Sequence, residues 1–109
     1  MQPQKREVLH LIYGDKDVFG DWLDGLKDAV GRTAINKRIY RVAAGNFGDR
    51  RLVGDGVWEL RIHYGPGYRV YYGEDGPVIV LLLCGGDKRT QWRDIARAQA
   101  LWDAHRRNR

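Results

Sequence analysis

Residues 57–84, VWELRIHYGPGYRVYYGEDGPVIVLLLC, contain the pattern that decides the fold. Three apolar stretches, 57–64, 68–72 and 78–84, are separated by YGPG and GEDGP, which are rich in turn-forming residues. This arrangement predicts three consecutive antiparallel strands, a β-meander. Apolar and polar residues alternate in the first stretch, whereas the third is apolar throughout, which is typical of a central strand covered on both faces.

Before this meander the sequence predicts one strand and two helices. Residues 7–13 are apolar on both faces and predict a mostly buried strand. In residues 18–27 apolar side chains recur at the spacings i, i+3, i+4 and i+7 of an amphipathic helix. Gly31 is expected to break this helix, and a second helix is predicted over 32–44, with Gly45 as its C-terminal cap. Residues 46–56 are predicted to form a loop.

After the meander, residues 90–104 predict a final helix. The apolar side chains expected to face the core are Trp92, Ile95, Ala96 and Trp102. Arg89, Arg93 and Arg97 are spaced four residues apart on another face, where they either form a solvated surface or extend an RNA-binding one. The predicted fold is therefore α+β, in the order β-αα-βββ-α, with the first strand and the meander in one sheet.

Length and composition narrow the class of protein. The chain has 109 residues, about one domain's worth, and residues 1–109 are expected to form a single domain. It has no apolar run of the roughly 18 residues that a membrane span needs, and its first residues lack the apolar stretch of a secretory signal. A cytoplasmic protein with no membrane partner is expected. The single cysteine, Cys84, ends an apolar run and is expected to be a buried thiol.

The charge of the chain indicates the kind of partner. Nineteen Lys and Arg residues against fourteen Asp and Glu give a net charge of +5. Acidic residues concentrate in 15–28 and arginines in 88–109, so the basic surface is expected near the C-terminal end. This balance favours a polyanion or an acidic protein as the partner.

Strand pairing within the meander brings polar side chains together. With Gly65, Pro66 and Gly67 as the loop, the expected pairs are Tyr64–Tyr68, Ile62–Val70, His63–Arg69 and Arg61–Tyr71. Only registers displaced by an even number of residues keep the apolar side chains on one face. Arg61, His63, Arg69 and Tyr71 then share a polar surface. The two arginines repel each other unless an anion lies between them, and a phosphodiester fits that role.

Each of these residues also has an ordinary structural explanation. Arg61 and Arg69 are alternatively solvated strand residues, paired with Glu59 or with acids of the first helix. His63 is either a surface residue or a general base. The spacing of His, Cys, Asp and Glu matches no metal site, so no metal is expected.

The segment 84–91, CGGDKRTQ, connects the apolar strand to the final helix. Its two glycines allow close backbone approach, and Lys88, Arg89 and the helix N-terminus attract anions. Alternatively, Asp87 or Thr90 caps the helix. The segment lacks the spacing of a Walker A motif, so nucleotide hydrolysis is not expected.

Two segments resemble the RelE/ParE toxin superfamily, in particular its phage-derived, HigB-like "addiction module killer protein" branch: GNFGDRRLVGDGVWELRIHYGPGYRVYY (45–72) and LLLCGGDKRTQWRDIARAQALW (81–102). The resemblance covers nearly the whole chain, from the first strand through FGDWLDGLKD (19–28) to Trp102. The combination of LRIHYGPGYRVYY with LLLCGGDK is more specific than either piece. Trp58 and the basic tail HRRNR differ from the family pattern.

The resemblance implies the toxin of a type II toxin–antitoxin pair, acting as a ribosome-dependent mRNA endonuclease, or mRNA interferase. The implied partners are mRNA on the ribosome and a cognate antitoxin, commonly of the helix-turn-helix type, with operator DNA contacted only through that antitoxin. In such nucleases the 2′-hydroxyl of the RNA attacks the adjacent phosphate, so no cofactor is implied.

The resemblance also implies roles for particular residues. By position, Arg61 and Arg69 match the strand arginines that hold the scissile phosphate and stabilise the charge of the transition state. Lys88 matches the basic loop that binds the phosphate or supports the leaving group. Proton transfer is assigned to His63 or Tyr71.

Two other functions stay open from the sequence. A ParE-like chain has the same scaffold but inhibits DNA gyrase by protein contact and needs no catalytic base. A non-catalytic nucleic-acid-binding module would bind RNA or DNA with salt-sensitive affinity and leave it intact.

Overall fold

A computed structural model describes residues 3–108, which form three α-helices, a five-stranded sheet and a two-stranded sheet. In chain order the elements are β1 (Glu7–His10), β2 (Ile12–Tyr13), β3 (Lys16–Asp17), α1 (Val18–Gly25), α2 (Ala29–Ala43), β4 (Arg50–Leu52), β5 (Val57–Ile62), β6 (Tyr68–Asp75), β7 (Ile79–Asp87), a 3₁₀ turn (Lys88–Thr90) and α3 (Gln91–Arg107). The predicted α+β class and the predicted meander, β5 to β7, are confirmed. Within residues 3–108, no helix has the length and apolar character to cross a membrane.

The large sheet has the strand order β1-β7-β6-β5-β4. Strands β4 to β7 are antiparallel, and β1 pairs with β7 in parallel. Helices α1 and α2 cover one face through Phe19, Ile35 and Val42, which pack on the strands. Helix α3 covers the other face through Ala98 and Trp102. A sheet covered on both faces buries most of β6 and β7, as the apolar sequence of β7 predicts.

Cys84 is buried, as expected, in the cluster under α3. Burial raises the pKa of its thiol to about 12, because the surrounding apolar groups disfavour the thiolate. The thiol donates a weak hydrogen bond to the backbone oxygen of Asp94, at 3.6 Å. Cys84 is therefore a packing residue.

The prediction of a mostly buried strand over 7–13 is wrong. The segment is divided into β1 and β2, and within it only Leu11 is buried. Strand β1 lies at the edge of the sheet and pairs on one side only, with β7. Its position at the edge, which the sequence pattern does not reveal, leaves Leu9 41% exposed.

The predicted break at Gly31 is also wrong, because α2 begins at Ala29 and Gly31 lies in its first turn. The Asp28 side chain caps the helix by accepting from the Gly31 backbone N–H at 2.9 Å. A β-carbon on Gly31 would come within 2.6 Å of the Tyr68 ring, so glycine here permits close packing. The predicted cap at the other end is confirmed, since Gly45 has a φ of +93° and donates to the Val42 carbonyl at 2.9 Å.

Residues 46–56 are not simply a loop, because β4 lies within them and pairs with β5. This edge strand has three residues, two of them arginines, and its sequence lacks the apolar alternation by which strands are recognised. It places Arg51 and Leu52 alongside α3.

The predicted inward face of the last helix is only partly correct. Trp102 is buried, but Trp92 is 89% exposed and Ala96 is exposed as well. The buried line of α3 consists of Asp94, Ala98 and Trp102. Glycines in the sheet fix this line: Gly86 lies directly under the Asp94 carboxylate, and Gly73 lies under the Trp102 ring. Helix α3 also continues to Arg107, beyond the predicted end.

Candidate functional site

The β5–β6 hairpin pairs Arg61 with Arg69 and Ile62 with Tyr68. The predicted register is therefore wrong by two residues, because the hairpin loop spans 63–67 rather than 65–67. The backbone N–H of Tyr64 donates to Ile62 at 2.9 Å, and that of Gly67 donates to Tyr64 at 3.1 Å. An even displacement preserves the faces, so Arg61, Arg69 and Tyr71 still share one.

That shared face is not an exposed polar surface, because α3 covers part of it. Glu59 and Tyr71 are both 0% exposed, so the prediction that Tyr71 lies on a polar surface is wrong. The Tyr71 hydroxyl donates to Glu59 Oε2 at 2.9 Å, and Gln91 Nε2 donates to the same oxygen at 2.8 Å. Burial, reinforced by the Glu59 carboxylate, raises the pKa of Tyr71 far above its usual 10.0. The Tyr71 hydroxyl is therefore buried and already hydrogen-bonded, and it does not face an open surface.

Two arginines hold the other oxygen of Glu59. Arg61 Nε lies 3.4 Å from Oε1, and Arg51 Nη2 lies 3.5 Å from it. The alternative in which Arg61 pairs with Glu59 is therefore confirmed. These contacts form a cluster around the buried carboxylate, which we term the Glu59 cluster. It joins β4, β5, β6 and α3 through Arg51, Glu59, Arg61, Tyr71 and Gln91. The sequence did not reveal it, because a glutamate in an alternating strand predicts an exposed residue.

Arg69 is in a different situation from Arg61. It is only 8% exposed, and its Nε is buried without a hydrogen-bond partner in the described part of the chain. Its Nη1 donates weakly to the carbonyl of Tyr68, at 3.3 Å. No described carboxylate forms an ion pair with it. A buried guanidinium in this state has unused donors suited to an anion.

Arg69 lies in a cleft of about 280 Å³, formed with the loop 63–67 and Lys88. We term it the hairpin cleft. It brings together His63, Arg69 and Lys88, three of the five predicted catalytic residues. Gly65 and Gly67 have φ values of +57° and +81°, which glycine adopts readily, and they shape the wall of this cleft. Arg61 and Tyr71 belong to the Glu59 cluster instead.

His63 is exposed beside the cleft, and a carboxylate fixes its ring. Its Nε2 lies 2.6 Å from Asp49 Oδ2. This hydrogen bond holds the pKa of Asp49 below its usual 3.8, so the carboxyl is ionised near neutral pH. An aspartate that binds one ring nitrogen leaves Nδ1 for proton exchange. The sequence did not indicate Asp49.

The N-terminus of the last helical segment is occupied by the protein's own side chains. Asp87 accepts from the backbone N–H of Arg89 at 2.8 Å, and it forms a capping box with Thr90. The interpretation that Asp87 caps this segment is therefore confirmed, and its amides are less open to an outside anion than the glycine-rich sequence predicts. Lys88, by contrast, is exposed.

The predicted arginine stripe is exposed, with one arginine in the 3₁₀ turn and two in α3: Arg89, Arg93 and Arg97. Arg89 pairs with Asp87 and Arg93 with Asp94, each at 3.6 Å. The two arginine side chains are 83% and 77% exposed, so water screens these pairs and they contribute little stability, although the Asp94 carboxylate is itself buried. Binding of RNA by this stripe stays a prediction.

A second depression of about 570 Å³ runs between β4 and α3. Its lining includes Arg51, Leu52, Gln91, Trp92 and Ile95. We term it the Trp92 groove. Because Arg51 and Gln91 also belong to the Glu59 cluster, the groove adjoins that cluster. Among residues 3–108, no three His, Cys, Asp or Glu side chains gather as a metal ion would require.

The chain is similar to an uncharacterized protein of Haemophilus influenzae (strain ATCC 51907 / DSM 11121 / KW20 / Rd). The two are 52% identical over 83 residues, which cover 76% of this chain and 84% of the relative. No family model matches the chain, and no solved structure matches it. An identity this high over most of both chains establishes common descent and a shared fold.

Proposed function

We propose that this chain, which belongs to the same family as the uncharacterized Haemophilus influenzae protein, is the toxin of a type II toxin–antitoxin pair and a ribosome-dependent mRNA endonuclease of the RelE/ParE type. The observation that carries the proposal is the hairpin cleft, in which an unpaired buried arginine lies with a histidine and a lysine. The helical hairpin, the antiparallel meander and the C-terminal helix are the parts that a RelE-like arrangement requires.

A phosphodiester is the ligand that the cleft suits best. Leaving a guanidinium buried with few partners is costly, and an anion that accepts from Arg69 removes that cost. Lys88 adds a second positive charge at the mouth of the same cleft. The lining of the cleft is mostly polar, so it suits a phosphate group better than an apolar metabolite.

The chemistry follows from these groups. His63 Nδ1 takes the proton of the RNA 2′-hydroxyl, whose oxygen attacks the adjacent phosphorus. The bond from phosphorus to the 5′-oxygen breaks, leaving a 2′,3′-cyclic phosphate on one product and a 5′-hydroxyl on the other. Arg69 stabilises the extra negative charge on the phosphate oxygens, and Lys88 stabilises the departing 5′-oxygen. The 5′-oxygen receives its proton from solvent or from protonated His63.

In this proposal Arg61 and Tyr71 do not contact the RNA but hold the strands that carry the cleft residues in place. Glu59 ties both of them to α3, so the strand that carries Arg61 is held against its neighbour that carries Arg69. Arg38 on α2 reinforces the arrangement by donating to the backbone carbonyl of Arg61 at 2.6 Å. The cleft is thus held rigidly from both faces of the sheet.

The partners follow from the same proposal. The substrate is mRNA on the ribosome, and a cognate antitoxin of the helix-turn-helix type covers the cleft or blocks access to the ribosome. Operator DNA is contacted only through that antitoxin. The protein acts in the cytoplasm and needs no metal or cofactor for this reaction.

The test is to express the chain in cells that lack its antitoxin and to map the 5′ ends of mRNA within minutes. Arg69→Ala and Lys88→Ala are compared with Arg107→Ala, a control at the far end of α3 whose side chain is 75% exposed. We expect cuts within translated regions for the parent and the control. Both cleft variants should lose at least about 100-fold of the cutting, because each removes a charge that stabilises the transition state. Lys88 is exposed, so its loss does not threaten folding.

Other outcomes would point elsewhere. Growth arrest with intact mRNA, unchanged in Arg69→Ala, would favour inhibition of DNA gyrase by a ParE-like protein. Binding of RNA without cuts or growth arrest would favour a non-catalytic nucleic-acid-binding module.

A further inference from the structure

Trp92 is the most exposed of the large apolar side chains described, at 89%. An indole in this position adds little to the stability of the fold, because it removes almost no apolar surface from water. Single exposed apolar residues are common and need no explanation by themselves. Trp92 differs because it lines a groove and has charged neighbours.

The Trp92 groove is connected to the proposed site through shared side chains. Gln91, the residue before Trp92, donates to Glu59 at 2.8 Å and also lines the groove. Arg51 lies 3.5 Å from Glu59 and lines the groove from the β4 side. The Trp92 groove and the Glu59 cluster are therefore adjacent and share the side chains of Arg51 and Gln91.

Three arginines lie near Trp92, and each also forms an ion pair with a carboxylate, at 3.5–3.6 Å. Arg89 is three residues before Trp92 and so lies on the same side of the helical segment, and Arg93 follows Trp92 directly. Arg51 lies across the groove. A flat aromatic ring among arginines is the arrangement by which proteins bind single-stranded nucleic acid, since the ring stacks on a base and the cations hold phosphates.

We infer that Trp92 is a stacking platform for one base of a single-stranded RNA, in a nucleotide outside the hairpin cleft. Arg51 and Arg89 hold its phosphates, and the groove receives the base. The inference rests on RNA as the proposed ligand, and it adds a base-binding subsite to the proposed site. A protein segment would compete for the same groove, but the surrounding cations favour the polyanion.

The test measures binding of a fluorescent single-stranded RNA of about ten nucleotides, with 2′-O-methyl groups throughout so that no 2′-hydroxyl is free to attack and the RNA is not cut. Trp92→Ala is compared with the parent and with Tyr40→Ala, which removes an aromatic ring that is 79% exposed on α2. We expect Trp92→Ala to weaken binding by at least about fivefold, while Trp92→Phe retains most of the affinity and the control is unchanged.

Two further measurements identify the interaction as stacking. With an oligonucleotide of abasic sites, the parent and Trp92→Ala should bind equally, because no base is present to stack. The slope of log affinity against log salt should be the same for both, whereas Arg89→Ala should lower it, because only the arginine contacts a phosphate.

The outcomes separate this inference from the proposed function. Equal RNA binding by the parent and Trp92→Ala would overturn the inference and leave the groove to a protein partner, while Arg69-dependent cleavage in cells would still stand. Weakened binding without any cleavage would keep the stacking platform and reject the nuclease. A parent chain that binds no RNA would reject the platform.

Discussion

Glu59→Gln replaces one oxygen atom by an N–H₂ group, and we expect this small change to lower the free energy of unfolding substantially. Glu59 is 0% exposed and accepts hydrogen bonds from Tyr71 and Gln91 on one oxygen, while two arginines approach the other. Glutamine keeps one acceptor oxygen, but its N–H₂ group then faces either the two arginines or the Tyr71 and Gln91 donors, and it cannot accept a hydrogen bond from them. Hydrogen bonds to a charged group contribute about 1.5–3 kcal/mol each, and breaking a buried ion pair costs about 3–5 kcal/mol.

Partial exposure of the arginines lowers this cost. The side chains of Arg51 and Arg61 are 50% and 31% exposed, so water replaces part of what each loses. We therefore expect the free energy of unfolding to fall by about 2–4 kcal/mol, a large share of the roughly 5–15 kcal/mol typical of a domain.

The assay is urea unfolding followed by circular dichroism, with the denaturant slope checked for constancy. Glu74→Gln is the matched control: this strand glutamate lies 3.4 Å from Arg50, and both side chains are 32% exposed. Its loss should stay under about 1 kcal/mol, as for other solvent-accessible pairs. A loss below about 1 kcal/mol for Glu59→Gln, or equal losses for both variants, would refute the reasoning.

Two further predictions concern packing and pH. Gly85→Ala should lower the free energy of unfolding by about 1–3 kcal/mol, because a β-carbon there would overlap the Trp22 ring; Gly25→Ala, where a β-carbon meets nothing within 4 Å, should cost little in the same urea assay. The Gly31 backbone N–H is the main cause of a pKa of Asp28 below the usual 3.8. The stability that the Asp28 carboxylate contributes is therefore complete above pH 3.8 and is lost as the pH falls through its lower folded pKa. Asp28→Asn should make the free energy of unfolding less dependent on pH in the acid range. Urea unfolding between about pH 2 and pH 5 measures this dependence.

The meander could be predicted from the sequence because alternation and turn residues both mark it. Side-chain alternation also predicts correctly that Arg61 and Arg69 share one face of the sheet, because a register displaced by two residues leaves each side chain on the same face. The length of the loop could not be predicted. His63 and Tyr64 are compatible with a strand, and backbone conformations at Gly65 and Gly67, together with the hydrogen bond from Tyr64, decide where pairing stops.

The orientation of α3 could not be predicted from its own sequence. Its apolar residues include both Trp92 and Trp102, and periodicity alone does not say which one meets the sheet. Glycines on the strands decide, because they make room for Asp94 and Trp102. A buried carboxylate at this position is contrary to the usual preference of aspartate for the surface.

The candidate site was predictable in part. Arg69, His63 and Lys88 were named from the sequence, and the structure brings them into one cleft. Arg61 lies apart from this cleft because it pairs with the buried Glu59. The burial of Glu59 depends on α3 covering that face of the sheet, which the sequence of the strand alone does not indicate. Asp49 was missed because β4 and the residues before it have no strand pattern.

The parallel pairing of β1 with β7 has a consequence for the order in which the chain folds. Paired residues of these strands are about 70 positions apart, whereas the β5–β6 hairpin closes over a loop of about five. The entropy of loop closure scales as about (3/2)RT ln n, or about 4 kcal/mol against about 1.5 kcal/mol. The meander should therefore assemble first and the N-terminal edge last, an order that pulsed hydrogen exchange would detect as late protection of the β1 amides. During synthesis β1 leaves the ribosome before β7, so β1 stays unpaired in the large sheet until β7 has been made.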